Sequence, residues 1–352
     1  MAYYEKVNRR ITDRLTLVNE IKSFLINSGL FTLVAEKQYV LFDKQWKTNE
    51  IRPISYNMIF KHKDGAYFTF GIGYTSNDYP EEAIYTRVSN GVAPTLLDDG
   101  TIQYPDNTGH AKMNKLHSGE TAYYAVTRVQ LPLQSMYLIN TGSIIVFVFE
   151  VAGGVYLHHA IGKYETYGNV SGGEFCGGTQ YSNYDYTYGY NERDSYGDDI
   201  ANYAVHPFAN QHTSYVGRNE NHSGSGSFAI INNQYVEINA LGINTSSSTQ
   251  PFYQNYMSCY MIAHAYHQRG VNLYNGRSIM YPVEWIGAFI TSSVKKPAIP
   301  LMYTNEVCRL NVSNIDGGSI VDDKWLCFPL ITKTAGTRWA NTKGNGVAYK
   351  IK

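Results

Sequence analysis

The segment Ser143-Ile144-Ile145-Val146-Phe147-Val148-Phe149-Glu150 is apolar at every position between its two ends. Successive side chains of an extended strand point to opposite faces. A run that is apolar at every position therefore has to bury both faces of its strand. Ala152-Gly153-Gly154 then turns the chain into Val155-Tyr156-Leu157-His158-His159-Ala160-Ile161, making the two segments an antiparallel hairpin. On that second strand His158 and His159 are adjacent, so their side chains diverge. They read as one inward and one outward residue, and as poor partners for a shared metal.

Other segments repeat the pattern. Ile54 to His62 and Ala66 to Tyr74 flank Asp64-Gly65 as a hairpin, and Ser227 to Ile231 and Gln234 to Ile238 flank Asn232-Asn233. Cys308 to Val312 and Trp325 to Ile331 lie either side of Asp316-Gly317-Gly318. One long helix is expected, over Ile11–Ser28. Its apolar stripe is Ile11, Leu15, Val18, Ile21 and Leu25, with Gly29 placed to end it. The fold class is α+β: an N-terminal amphipathic helix packed on antiparallel β-sheet, mostly β thereafter, with long tyrosine-, glycine- and asparagine-rich loops. Residues 80–120 read as long loops. The chain is long enough for about two domains. The expected division is a helix-plus-sheet domain over 1–165, an extended loop region over 166–225, and a second β-rich region over 226–352 that can share one core with the first.

Composition constrains the partners. Of the 352 residues 43% are hydrophobic and only 16% charged, and 29 lysines and arginines balance 29 aspartates and glutamates. Zero net charge argues against broad nucleic-acid binding and favours association. There are 32 tyrosines, a residue suited to partly wet contact surfaces but equally to pleated strands. The densest tyrosine stretch is Tyr181, Tyr184, Tyr186, Tyr188 and Tyr190. These five are the candidate interface residues, with sugar stacking beside Asn183 and Asp185 as the alternative. No run of residues is long and apolar enough for a membrane helix. The N-terminus has no hydrophobic signal core, and the four cysteines are too sparse for a disulfide scaffold. Synthesis in a cytoplasm with free thiols is expected, with Cys308 and Cys327 on adjacent strands.

No catalytic motif stands out. Cys259, His264 and His267 give C-x4-H-x2-H, three zinc-type ligands where a structural site takes four. Glycoside hydrolysis needs two positioned carboxylates. Glu150, Asp185, Asp198, Asp199, Asp322 and Asp323 are available, yet no two are singled out. No G-x-S-x-G elbow or phosphate-cradling loop occurs. Lys61-His62-Lys63 is the compact basic cluster and Lys295-Lys296 a further pair, neither interleaved with aromatics for base stacking. No enzyme, cofactor or metal is expected.

The order of segments resembles a diffuse family of tailed-bacteriophage virion proteins. The likeness runs through the helix Ile11–Ser28 followed by Trp46, then Gly65-Ala66-Tyr67-Phe68-Thr69-Phe70-Gly71-Ile72. It continues through Met136-Tyr137-Leu138-Ile139-Asn140, Ile144–Glu150 and Tyr156 to Gly162-Lys163-Tyr164. Trp325-Leu326-Cys327-Phe328-Pro329 and Gly344-Asn345-Gly346-Val347-Ala348-Tyr349-Lys350 complete it. The resemblance implies a non-enzymatic, multicopy component of a virion tail, collar, neck or baseplate, assembled in the host cytoplasm. The partners it implies are further copies of the chain and other virion proteins, not nucleic acid or membrane. A receptor- or carbohydrate-binding virion protein is the alternative.

Overall fold

The apolar octet sits in the middle layer of three stacked antiparallel sheets. The computed structural model describes residues 1–42, 51–76, 79–89, 91–104, 125–179, 207–208, 227–232, 234–237, 257–261, 280–289, 299–312, 315–329 and 345–352. Its elements begin with β1 (Tyr3–Val7), α1 (Arg14–Asn27), β2 (Phe31–Phe42), β3 (Ile51–His62), β4 (Tyr67–Ser76) and β5 (Tyr79–Ser89). Next come β6 (Thr95–Leu96), β7 (Ile102–Gln103), β8 (Ala125–Gln130), β9 (Ser135–Asn140), β10 (Ile144–Ala152) and β11 (Val155–Lys163). Then follow β12 (Glu165–Thr166), β13 (Gly172–Gly178), β14 (Ser227–Ile231), β15 (Gln234–Glu237) and β16 (Met257–Met261). The last are β17 (Tyr281–Phe289), β18 (Ile299–Asn311), β19 (Ser319–Val321), β20 (Trp325–Pro329) and β21 (Asn345–Lys350).

The central sheet has the order β1-β9-β10-β11-β13-β14-β15. One neighbouring sheet runs β2-β3-β4-β5-β8; the other runs β16-β17-β18-β21-β20-β19, with β12 also on β18. Strict alternation divides the central strands between two cores. Ile145, Phe147 and Phe149 of β10, with Leu138 and Leu157, pack with α1 and the five-stranded sheet. Ile144, Val146 and Val148, with Tyr137 and Ile139, pack with Trp285, Leu326, Phe328 and Val347 of the other sheet. The five-stranded sheet is covered again on its outer face, where Ile102, Tyr104 and Leu96 of the β6–β7 hairpin lie over Ile59, Ala83 and Tyr85.

The helix begins later than its stripe suggested. Asp13 caps it, accepting from the Thr16 N–H at 2.9 Å, while Ile11 lies outside it, bridged to Leu133. The buried face is Leu17, Val18, Ile21, Phe24 and Leu25; Leu15 is 51% exposed. At 100° per residue Leu15 falls well off the arc that these five share. Gly29 follows the helix at φ +71°, as expected.

The hairpins at Asp64-Gly65, Gly153-Gly154 and Asn232 form as expected, the second with a register shift between Glu150 and Ala152. Three expectations change. Residues 80–120 are not all loop: β5 is a strand paired to both β4 and β8, and 105–124 lie outside the described residues. Within the expected loop region 166–225, β13 is a strand of the central sheet. Strands on either side of residues 165 and 226 thus belong to the same sheet. Finally, Cys308 and Cys327 are not on adjacent strands, because β21 inserts between them and Ala348 pairs with both. Two strand spacings amount to about 9–10 Å, beyond the roughly 7 Å limit for a disulfide, and both are free thiols.

The layers are also fastened at their rims. Glu306 of β18 reaches across to the turn between β9 and β10. One of its oxygens accepts from Thr141 Oγ1 at 2.7 Å, Ser143 N at 2.9 Å and Ser143 Oγ at 2.7 Å. Gly142 sits in that turn at φ +124°, where a Cβ would lie 2.7 Å from the Glu306 carboxylate. Gly317 is a second close approach: a Cβ there would collide with the Tyr156 ring. Glu306→Ala takes one charged acceptor from three donors. A loss of about 2–3 kcal/mol is expected, read as a lower urea midpoint with an unchanged slope.

Candidate functional site

The tyrosine ladder Tyr181, Tyr184, Tyr186, Tyr188 and Tyr190 lies outside the described residues, as do Asp185, Asp198, Asp199, His264, His267 and Lys295-Lys296. Cys259 lies in β16, paired with Gly287. Among the described residues no group of three histidine, cysteine or carboxylate side chains is arranged to hold a metal.

Tyrosines elsewhere divide into two classes. Tyr137, Tyr156, Tyr164, Tyr349, Tyr85 and Tyr104 are buried. They are core residues, and some of their hydroxyls bond inside: Tyr156 donates to the Gly317 carbonyl at 3.4 Å, and Tyr349 bonds His158 Nδ1 at 2.7 Å. Tyr167 and Tyr303 form the second class. They stand partly exposed where β12 meets β18, ring centroids 4.6 Å apart and planes at 35°. Tyr167 donates to Glu284 Oε1 at 2.9 Å, and Tyr303 donates to Glu165 Oε2 at 2.6 Å.

Backbone pairing explains the cluster. Tyr303 stands opposite Glu165 on one side and Glu284 on the other, so one β18 position collects both carboxylates. Burial, then the Glu284 hydrogen bond, pushes the Tyr167 hydroxyl up to about 12. The Glu165 hydrogen bond raises that of Tyr303. Both rings stay neutral phenols with their orientation locked, each presenting an aromatic face beside an acidic oxygen. Such a patch can stack on a sugar ring or a guanidinium and accept hydrogen bonds from either. The sequence carried only a faint signal for it, a tyrosine and a glutamate two residues apart at Glu165 and Tyr167.

The remaining candidates have structural positions. Glu150 accepts from Ser135 Oγ at 2.5 Å. Asp322 and Asp323 make the β19–β20 turn at φ +51° and +53° and are exposed. Lys61 and Lys63 are exposed, but His62 between them is not a surface cation. Its ring packs on Phe31 at 5.0 Å and Phe68 at 6.1 Å, and burial lowers its pKa. Burial pushes the Cys308 and Cys327 thiols up to about 12, leaving them protonated.

His158 and His159 diverge as expected, but neither is outward. The central sheet has a core on each side, so His158 enters one and His159 the other. His158 Nε2 faces the Pro329 carbonyl at 3.3 Å, which makes Nε2 the protonated nitrogen and Nδ1 the acceptor from Tyr349. His159 lies between Thr86 Oγ1 at 2.6 Å and Thr127 Oγ1 at 2.9 Å.

No protein-family model matches the chain, and no curated protein matches it.

Burial lowers both histidines to about 3, helped for His158 by the nearby Arg309 charge. An unfolded histidine takes its proton near 6.5, so between about pH 6.5 and 3 the unfolded chain binds more protons. The stability these neutral rings contribute is complete above pH 6.5 and lost as pH falls through that window. The expected slope is on the order of 1 kcal/mol per pH unit per histidine. Urea midpoints at pH 7, 5.5 and 4.5 measure it, and His159→Gln should reduce the slope by about half.

Proposed function

We propose that the protein is a non-enzymatic structural component of a tailed-phage virion, present in several copies in the tail, collar, neck or baseplate. It is assembled in the host cytoplasm and binds neighbouring copies and other virion proteins. The observation that carries this reading is a charge-poor, electroneutral, tyrosine-rich chain that sets tyrosine rings on its surface in fixed orientation, as at Tyr167 and Tyr303. Rigid amphipathic rings contribute contact area with little loss of side-chain freedom. The ordered likeness to phage virion proteins points the same way. Head-to-tail contacts in a ring require two different faces per subunit.

The alternative is a virion protein that binds receptor carbohydrate. The Tyr167–Tyr303 pair favours it as well, since its carboxylates can accept from sugar hydroxyls. Residues 181–190 are the natural segment to remove. Thr179 has to stay, because its hydroxyl bonds the His158 carbonyl at 2.8 Å. Replacing 181–190 by a glycine–serine linker should leave the monomer folded by circular dichroism and prevent incorporation into particles. Normal particles that adsorb to the host would refute both readings. Normal particles that fail to adsorb would select the carbohydrate reading.

A further inference from the structure

Buried polar groups are nearly always hydrogen-bonded, and each exception calls for an explanation. Three exceptions fall in the core between the central sheet and the sheet of β17, β18, β20 and β21. They are Arg309 Nε, Trp285 Nε1 and the Tyr164 hydroxyl, on residues that are at most 2% exposed.

The three are neighbours. The Tyr164 ring lies 4.5 Å from Phe175, and Phe175 lies 5.8 Å from Phe208. The Phe208 carbonyl accepts from Arg309 Nη1 at 2.9 Å. Tyr349, 5.7 Å from Phe208, feels the charge of Arg309 and the hydroxyl of Tyr164. The Trp285 N–H approaches the Tyr164 hydroxyl closely enough to offset part of its burial.

The chemistry of the set is one-sided. Indole and guanidinium groups only donate, and a phenol can donate. Of the acceptors at hand, the Phe208 carbonyl already receives Arg309 Nη1, and the Tyr349 oxygen, whose proton goes to His158 Nδ1, bonds none of the three atoms. Burial lowers Arg309 only to about 10, so it is a cation at neutral pH. Among the described residues no carboxylate shifts or pairs with it. A buried guanidinium without a counter-charge is strongly destabilising.

We propose that Arg309, Trp285 and Tyr164 form a buried binding site for a single small monovalent anion of halide type. One guanidinium balances one negative charge. The enclosing rings of Phe175, Phe208 and Tyr349, none measurably exposed, restrict the occupant to a compact ion. Trp285 and Arg309 stand on β17 and β18, and Tyr164 directly follows β11, so the bound anion ties the central layer to its neighbour.

The test is thermal unfolding of the full chain in sodium chloride or bromide against sodium gluconate at equal ionic strength. The midpoint should rise with halide concentration and not with gluconate, as for a ligand that binds only the folded state. Trp285→Phe preserves shape and removes one charge-assisted donor, so it should raise the halide concentration needed by roughly tenfold. Arg309→Met should abolish the dependence. Should that variant fail to fold, Trp285→Phe and Tyr164→Phe carry the test between them. Equal midpoints in halide and gluconate overturn the proposal, as they would if a carboxylate of this chain neutralises Arg309. A halide dependence identical in wild type and Trp285→Phe is a general salt effect and overturns it as well.

Discussion

The structure depends on a strand that has no face for water. Once Ile144 to Phe149 alternate between two cores, neither side of the central sheet can be left uncovered, and the chain must supply a layer for each. The N-terminal helix and the five-stranded sheet cover one side; strands drawn largely from the C-terminal part cover the other. The stacking order is therefore a consequence of one hairpin. So is the fate of its polar residues. Two adjacent histidines on such a strand must each be buried in an apolar layer, and each is tolerated only because hydroxyls and a carbonyl meet its ring nitrogens.

Apolar burial holds the middle of the layers and polar contacts hold the rims. Glu306 crosses from one sheet to a turn of the next. Strand β12 leaves the central sheet, pairs with β18 and hands the chain back to β13. Lys163, at the end of β11, bridges Glu174 at 3.0 Å and approaches Asp64 of the β3–β4 turn at 3.8 Å. Hydrophobic contact is non-directional and fixes little about how far one sheet slides over another. Directional bonds at the turns supply that register, and their partners come from segments far apart in the chain.

That division explains what was legible in the sequence. The hairpins were, because turn chemistry and alternation are local: Asp64-Gly65, Gly153-Gly154 and Asn232 each announce themselves within a few residues. The helix was legible in outline, but a stripe of five apolar residues allows more than one face. Only the tertiary cover chose Leu17 and Phe24 over Leu15. The insertion of β21 between β18 and β20 is a non-local choice that no spacing records, so the two cysteines looked closer than they are. Arg309 was hidden for the same reason. It stands in Val307-Cys308-Arg309-Leu310, where its inward phase follows from the strand but its neighbours come from β11, β17 and β21.

The burial of Tyr137, Tyr156, Tyr164 and Tyr349 bears on the composition argument itself. Tyrosine surplus is often read as surface, yet these rings are core residues chosen because a layer of this thickness needs large side chains with a polar tip. Tyr349 shows why: phenylalanine would fill the same volume but leave His158 Nδ1 without its donor. The proposed contact function therefore gains nothing from these buried tyrosines. It rests on the scarcity of charge, which core tyrosines do not explain, and on rings such as Tyr167 and Tyr303 that carboxylates hold in place at the surface. A ring needed only for packing has no use for an exposed carboxylate to fix its hydroxyl, whereas a ring that must meet a partner in one orientation does.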